Sequence, residues 1–343
     1  MNPRCLASMG ALPVMFAVVM LTGGPVAGQA PAATTKKAAA PPRTAGQAPA
    51  TATKQPAAPP RTGWGDPSLE SIWSFATTTP LERPAQFKDR EFLTPAEIEA
   101  QNRAANEDRA PNPGDTGTYN AFWFERGNST GRTSLMTDPK DGRVPPFTPE
   151  GQKRNAALRA MDGTDSWENR GLSERCLTRP TLGPPIIPGN YNAYVRLVQT
   201  PGYFVISVEM PSVSRVVPMD GRPHLSPQIR EWLGDSRGHW EGNTLVVETT
   251  NFTDKSNFRG SGKDMRLIER FTRVDANRLN YEFTVEDPGS FTKPWTALIP
   301  MTKTDDEIYE YACHEGNNTV VNVLYGARAQ EKAAADAAKT SPR

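Results

Sequence analysis

His224, His239 and His314 are the only imidazoles in the 343-residue chain, and proton transfer near neutral pH would fall to them first. Each has charged neighbours. Asp220-Gly221-Arg222-Pro223-His224 places a guanidinium and an imidazole just after a turn dipeptide, and His314 is followed by Glu315. Asp235, Arg237, His239 and Glu241 fall at every second position, so on a strand they share one face. His224, His239, His314, Asp235 and Glu241 are therefore the candidate catalytic groups. Arg222, Arg237 and Glu315 are the candidate ligand-binding groups, because a guanidinium holds a carboxylate or a hydroxylated molecule through two parallel hydrogen bonds. Salt bridges around a strand end would use the same residues, and both readings stand at this stage.

No recognised catalytic signature accompanies them. The sequence has no Gly-x-Ser-x-Gly elbow, no His-Glu-x-x-His, no phosphate-binding Gly-rich loop before Lys-Ser/Thr, and no dinucleotide fingerprint. The three histidines lack the i, i+2 or i, i+4 spacing that would place two metal ligands on one element, so neither a metal site nor a cofactor is expected.

Charge is unevenly distributed. The chain has 39 basic and 38 acidic side chains, yet residues 1–62 hold Arg4, Lys36, Lys37, Arg43, Lys54 and Arg61 with no acidic residue. The remainder is mildly acidic, at about −5. It has no basic footprint, so nucleic acid is not an expected partner.

The basic start, the apolar run 11–21 and the small residues at 25–30 read as a secretory signal over 1–30. The run is too short to span a bilayer, so no stable membrane insertion is expected once the signal is removed. Residues 31–62 are Ala/Pro-rich and contain Ala-Pro-Pro-Arg-Thr twice. Such a segment cannot bury enough apolar surface to order itself and is expected to be a mobile linker, whose basic charge could touch an envelope surface. After removal of Cys5 with the signal, Cys176 and Cys313 are the only thiols. In a periplasmic or secreted protein the natural expectation is a Cys176–Cys313 disulfide, with two separate thiols as the alternative.

Positioning of the candidate residues depends on the elements around them. A single domain is expected over 63–326, in two textures. Residues 63–190 are irregular, with helices starting at Thr94-Pro95 and Thr148-Pro149, where a hydroxyl caps and proline takes the first helical position. Residues 191–326 alternate in strand fashion: Leu279, Tyr281, Phe283 and Val285 interleave with polar residues. Eight strands are expected in meander order, at 203–209, 214–219, 237–241, 244–250, 267–274, 279–286, 295–303 and 308–313, with a short helix at 226–232. The Ala-rich tail 327–343 forms a marginal helix or frays.

A mainly β fold follows: an antiparallel meander closing into a barrel, with the irregular, partly helical N-terminal half packed on it. Its interior would be filled by side chains or hold one small ligand. Trp232, Phe252, Phe258, Tyr281, Phe291, Trp295, Tyr309 and Tyr311 serve either purpose. Trp240, on the face opposite His239 and Glu241, is expected to pack outward against the N-terminal half.

Two resemblances bear on this reading. Residues 69–74, Leu-Glu-Ser-Ile-Trp-Ser, are weakly similar to the first-strand Gly-x-Trp pattern of lipocalins, with Ser71 in place of glycine. The resemblance implies that Trp73 closes the bottom of a lipocalin-like barrel. The Trp-Leu-Gly-Asp-Ser-Arg-Gly-His-Trp-Glu-Gly-Asn-Thr-Leu-Val-Val-Glu-Thr run at 232–249 and Tyr-Ala-Cys-His-Glu-Gly-Asn at 311–317 resemble a set of uncharacterised secreted bacterial β-rich proteins, which implies no particular activity. Three functions remain: binding of a small organic ligand in or at the mouth of the barrel, hydrolase or lyase chemistry by His and carboxylate, and an envelope interaction protein. A cavity walled by histidine would favour the second and an apolar cavity without histidine the first.

Overall fold

The computed structural model describes residues 60–107, 124–160, 163–179, 183–189, 191–255 and 258–340. The signal segment and residues 31–59 of the linker lie outside the described residues, as does the end of the tail at 341–343.

Ten strands form one antiparallel sheet: β1 (Ser71–Ser74), β2 (Met136–Asp138), β3 (Tyr194–Thr200), β4 (Tyr203–Val208), β5 (Ser214–Pro218), β6 (Asp235–Glu241), β7 (Thr244–Thr250), β8 (Arg266–Arg273), β9 (Arg278–Glu286) and β10 (Trp295–Thr304). Their order is β5-β4-β3-β1-β10-β9-β8-β7-β6, with β2 paired to part of β10. Period-two sequence produces period-two burial. Leu279, Tyr281, Phe283 and Val285 of β9 are buried, as are Trp295, Ala297, Ile299 and Met301 of β10, so one face of each strand enters the core. The turn at Gly242-Asn243 sets the β6–β7 register, with Glu241 opposite Thr244.

The sheet curls until its two halves face each other. The Phe204 ring of β4 lies 5.6 Å from the Phe271 ring of β8, and the edge strands β5 and β6 approach one another. The expected barrel does not form, however, because β5 and β6 share no ladder of hydrogen bonds. Side chains occupy the seam instead. A Cβ at Gly238 would stand 2.3 Å from Met219 Sδ and 3.1 Å from Val217 Cγ1, so the two edges meet through Met219 and Val217 packed on a bare glycine. The loop after β5 then protects the β6 edge, with Arg237 Nε donating to the Pro223 carbonyl at 3.0 Å.

The N-terminal half joins the sheet and does not simply pack on it, since β1 fills the place between β3 and β10. Trp73 of β1 is fully buried. Its indole donates to the Leu69 carbonyl at 2.9 Å, and the Arg273 guanidinium stands 5.4 Å from its ring. With β1 on the free edge of β10, residues 308–313 do not form the expected strand. Their N–H groups turn to the β4–β5 corner, Tyr309 to Glu209 Oε1 at 3.4 Å and Tyr311 to Ser212 Oγ at 2.7 Å. The 226–232 helix is also replaced. The amide of Asn251, 3.0–3.1 Å from the carbonyls of Leu225, Ser226 and Ile229, takes the acceptors a helix would need. Trp240 sits on the inner side of β6 with Ser236 and Gly238, half-buried against the core, because strand alternation carries it to the face opposite His239.

Among the described residues there are three α-helices. α1 (Pro95–Asn106) begins with a capping box in which Thr94 and Glu97 satisfy each other's backbone N–H. α2 (Pro149–Ala160) is capped by Thr148, whose hydroxyl accepts from the Gly151 N–H at 3.0 Å. α3 (Thr319–Thr340) runs through residue 326. At the other end, Arg61 donates to the Gly65 carbonyl at 2.7 Å, and Ser68 N–H to the Pro60 carbonyl at 2.7 Å. Cys176 and Cys313 are bridged, with Cα atoms 5.7 Å apart, a separation typical of disulfides.

Candidate functional site

Strand alternation puts Asp235, Arg237, His239 and Glu241 on the outer face of β6. Asp235 Oδ2 lies 2.9 Å from His224 Nδ1 and accepts the Leu225 N–H at 2.9 Å, while Arg237 holds Oδ1 at 2.5 Å. The other ring nitrogen of His224 faces Glu248 Oε1 of β7 at 3.3 Å. Arg266 of β8 then joins Glu248 to Glu286 of β9, the latter at 2.6 Å. The result is a chain of alternating charge across four strands. Glu248, Arg266 and Glu286 were not singled out from the sequence, although each sits at an outward position of its strand.

The remaining predicted residues lie elsewhere. His239 and Glu241 occupy the far end of β6, 3.3 Å apart, and Glu241 also accepts from Arg270 at 2.5 Å. Arg222 is exposed on the loop after β5 and its Nε bonds Asp220 of its own turn at 2.8 Å. His314 and Glu315 are exposed beside the disulfide, and among the described residues no hydrogen bond or ion pair links their side chains to the cluster.

The electrostatics of the cluster are those of a satisfied network. Burial alone would raise the Asp235 carboxyl, but the Leu225 N–H, His224 and Arg237 together outweigh it and hold the group below its ordinary value of 3.8. Arg266 above all, with His224 adding, holds Glu248 below 4.5 against the effect of burial. Both nitrogens of His224 are engaged by carboxylates, so neither is presented to a substrate, and each carboxylate is kept ionised by a basic partner. No group of three or more His, Cys, Asp or Glu among the described residues could hold a metal ion.

A cavity lies at a different place, at the mouth of the curled sheet beside the β7–β8 loop. It encloses about 260 Å³. Phe252 at the end of β7, and Phe258 and Met265 in the following loop, form its floor, and Trp232 and Leu172 add to its walls. Phe258 is itself held at the core by stacking on Trp295, with centroids 5.9 Å apart. Behind the cavity the interior is filled by Phe271, Tyr281, Phe283 and Trp295, all fully buried. The opposing wall comes from the irregular segment between α2 and β3. Here Gly183, Pro184 and Pro185 pass over the mouth, and Ile186 inserts fully buried, its N–H donating to Tyr281 Oη at 2.9 Å.

The polar equipment of this cavity is sparse. Ser173 Oγ donates to the Thr178 carbonyl at 3.3 Å, and Thr178 Oγ1 to the Gly183 carbonyl at 3.4 Å. Arg179 is the one charged lining residue. A wider polar recess near Pro146 and Asn155 carries the Arg259–Glu82 ion pair at 3.1 Å, with Arg159 also in its lining.

Sequence reasoning named Trp232, Phe252 and Phe258 as possible cavity liners but not Arg179, Ser173 or the prolines. The one signal for that segment was Cys176, which ties it to Cys313 from 137 residues away. Comparisons with models of protein families, with curated proteins and with solved structures find no match for this chain.

Proposed function

We propose that the protein binds a small, largely apolar organic molecule at the mouth of its curled sheet, in an oxidising compartment outside the cytoplasm. The observation that carries this reading is the cavity of about 260 Å³ floored by Phe252, Phe258 and Met265, with no histidine or carboxylate in its lining. Ligand sites are concave and mostly apolar with a few placed polar groups, and roughly 300–1,000 Å³ is usual. A volume just under that range suits a molecule of one or two rings. The Cys176–Cys313 bridge supports the compartment, because disulfides persist outside the reducing cytoplasm. It also anchors the segment that walls the cavity. The acid–base alternative draws no support from His224, whose ring is occupied by Asp235 and Glu248. The envelope-contact alternative rests on residues 31–62, most of them outside the described residues.

Ligand-observed NMR on the mature chain, with a panel of one- and two-ring aromatic compounds, tests the reading. Saturable binding is expected, and it should disappear in Leu172→Trp, where an indole fills the cavity. Absence of saturable binding, or equal binding to wild type and a folded Leu172→Trp variant, would reject it.

A further inference from the structure

The composition of the mouth specifies more than an apolar body. Arg179 lines the cavity, and among the described residues it takes part in no ion pair. Its NH2 group reaches Tyr191 Oη at 3.4 Å, and the guanidinium stands 5.7 Å from the Tyr191 ring. Its Nε–H is buried and meets no acceptor. A buried guanidinium N–H left without an acceptor is costly, and a charged donor makes roughly twice as strong a hydrogen bond as a neutral one.

Among the described residues the lining offers no competing anion. No lining residue is acidic. Glu174, the nearest carboxylate in the same segment, is held by Arg170 through two bonds of 2.8 Å. A second guanidinium, Arg175, stands 5.7 Å from the Trp232 ring that forms one wall. The mouth thus combines aromatic walls with unneutralised positive charge in a site partly shielded from water, where an ionic contact is screened less than at the surface.

Resting on the ligand-binding reading above, we infer that the occupant is an aromatic carboxylate: a flat ring system against Phe252, Phe258 and Trp232, with its carboxylate accepting from Arg179. The bond geometry follows from chemistry. The two terminal nitrogens of a planar guanidinium present N–H groups in parallel, matching the two oxygens of a carboxylate.

The test compares 2-naphthoate with its neutral isostere 2-naphthamide by isothermal titration, using wild type, Arg179→Gln and Arg179→Lys with the disulfide intact. Naphthoate should bind wild type at least tenfold more tightly than naphthamide. Arg179→Gln should remove that preference. Arg179→Lys should restore only part of it, since lysine keeps the charge without the fork. The wild-type pair of ligands needs no variant, so the inference stays testable if Arg179→Gln fails to fold. Equal affinity for the two compounds would overturn the carboxylate assignment and leave the cavity reading intact. A preference for naphthoate that survives in folded Arg179→Gln would overturn the role of Arg179. Binding of neither compound would overturn the cavity as a site for such molecules.

Discussion

The guanidinium of Arg215 on β5 and the carboxylate of Glu269 on β8 meet through two parallel hydrogen bonds of 2.7 Å inside the curled sheet, with side chains 3% and 0% exposed. The pair spans the interior between the edge strand β5 and β8, which lies two places in from the opposite edge. Tyr281 Oη donates to the same carboxylate at 2.7 Å and accepts the Ile186 N–H. Burial, then the Glu269 charge, pushes the Tyr281 hydroxyl well above its ordinary 10, so it remains a donor across the working pH range. The chain of contacts runs from the sheet interior to the segment that walls the cavity.

Because both partners are desolvated, removing one leaves the other charged and unpaired. Arg215→Met is expected to cost about 3–5 kcal/mol, and the double variant Arg215→Met, Glu269→Met should recover most of that loss. Urea denaturation of the single and double variants checks this; a double variant as unstable as the single would show that the pair contributes net stability of its own.

The His224 cluster predicts a pH effect of defined sign. The folded Asp235 carboxyl titrates below its ordinary 3.8, so its contribution is present above that ordinary value and is lost as pH falls through the folded value. Asp235→Asn should lower stability at pH 7 by about 1–2 kcal/mol and flatten the decline seen on acidification. His224→Gln should cost about 1 kcal/mol or less and leave binding at the mouth untouched. The measurements are denaturation from pH 2.5 to 7 and aromatic-ligand titration. Loss of binding in a fully stable His224→Gln protein would move the site to the outer face.

The disulfide closes a long loop and holds the segment bearing Ser173 and Arg179. Thiol labelling of denatured, unreduced protein should find no free cysteine in the mature chain. Reduction should cost about 4–5 kcal/mol in the chain-entropy model and weaken ligand binding beyond what the fall in folded fraction explains. Two reactive thiols per chain would remove this anchor from the account.

Elements with local causes were legible residue by residue. The alternation in 279–286 became β9 because a period of two places every second side chain on one face whatever the strand pairs with. Thr94 with Glu97, and Gly242-Asn243, acted within a few residues of themselves. The candidate site was legible only in part. The shared face of 235, 237, 239 and 241 follows from the same alternation, but which charges meet did not: His224 reached Asp235 and Glu248 through a loop whose path no pattern encodes.

The sequence by itself determined a mainly β chain, its helix starts, its main hairpin turns and the pairing available to its two late cysteines. These depend on side-chain periodicity, capping and composition, all short-range properties. Only the tertiary structure decided that β1 occupies the edge of β10, that Gly238 lets Met219 and Val217 form a seam in place of a closed ladder, and that 183–187 folds over the mouth. Those outcomes arise from competition among surfaces more than a hundred residues apart, such as β1 against 308–313 for one strand edge, and the winner is set by total burial and hydrogen-bond satisfaction in the assembled core.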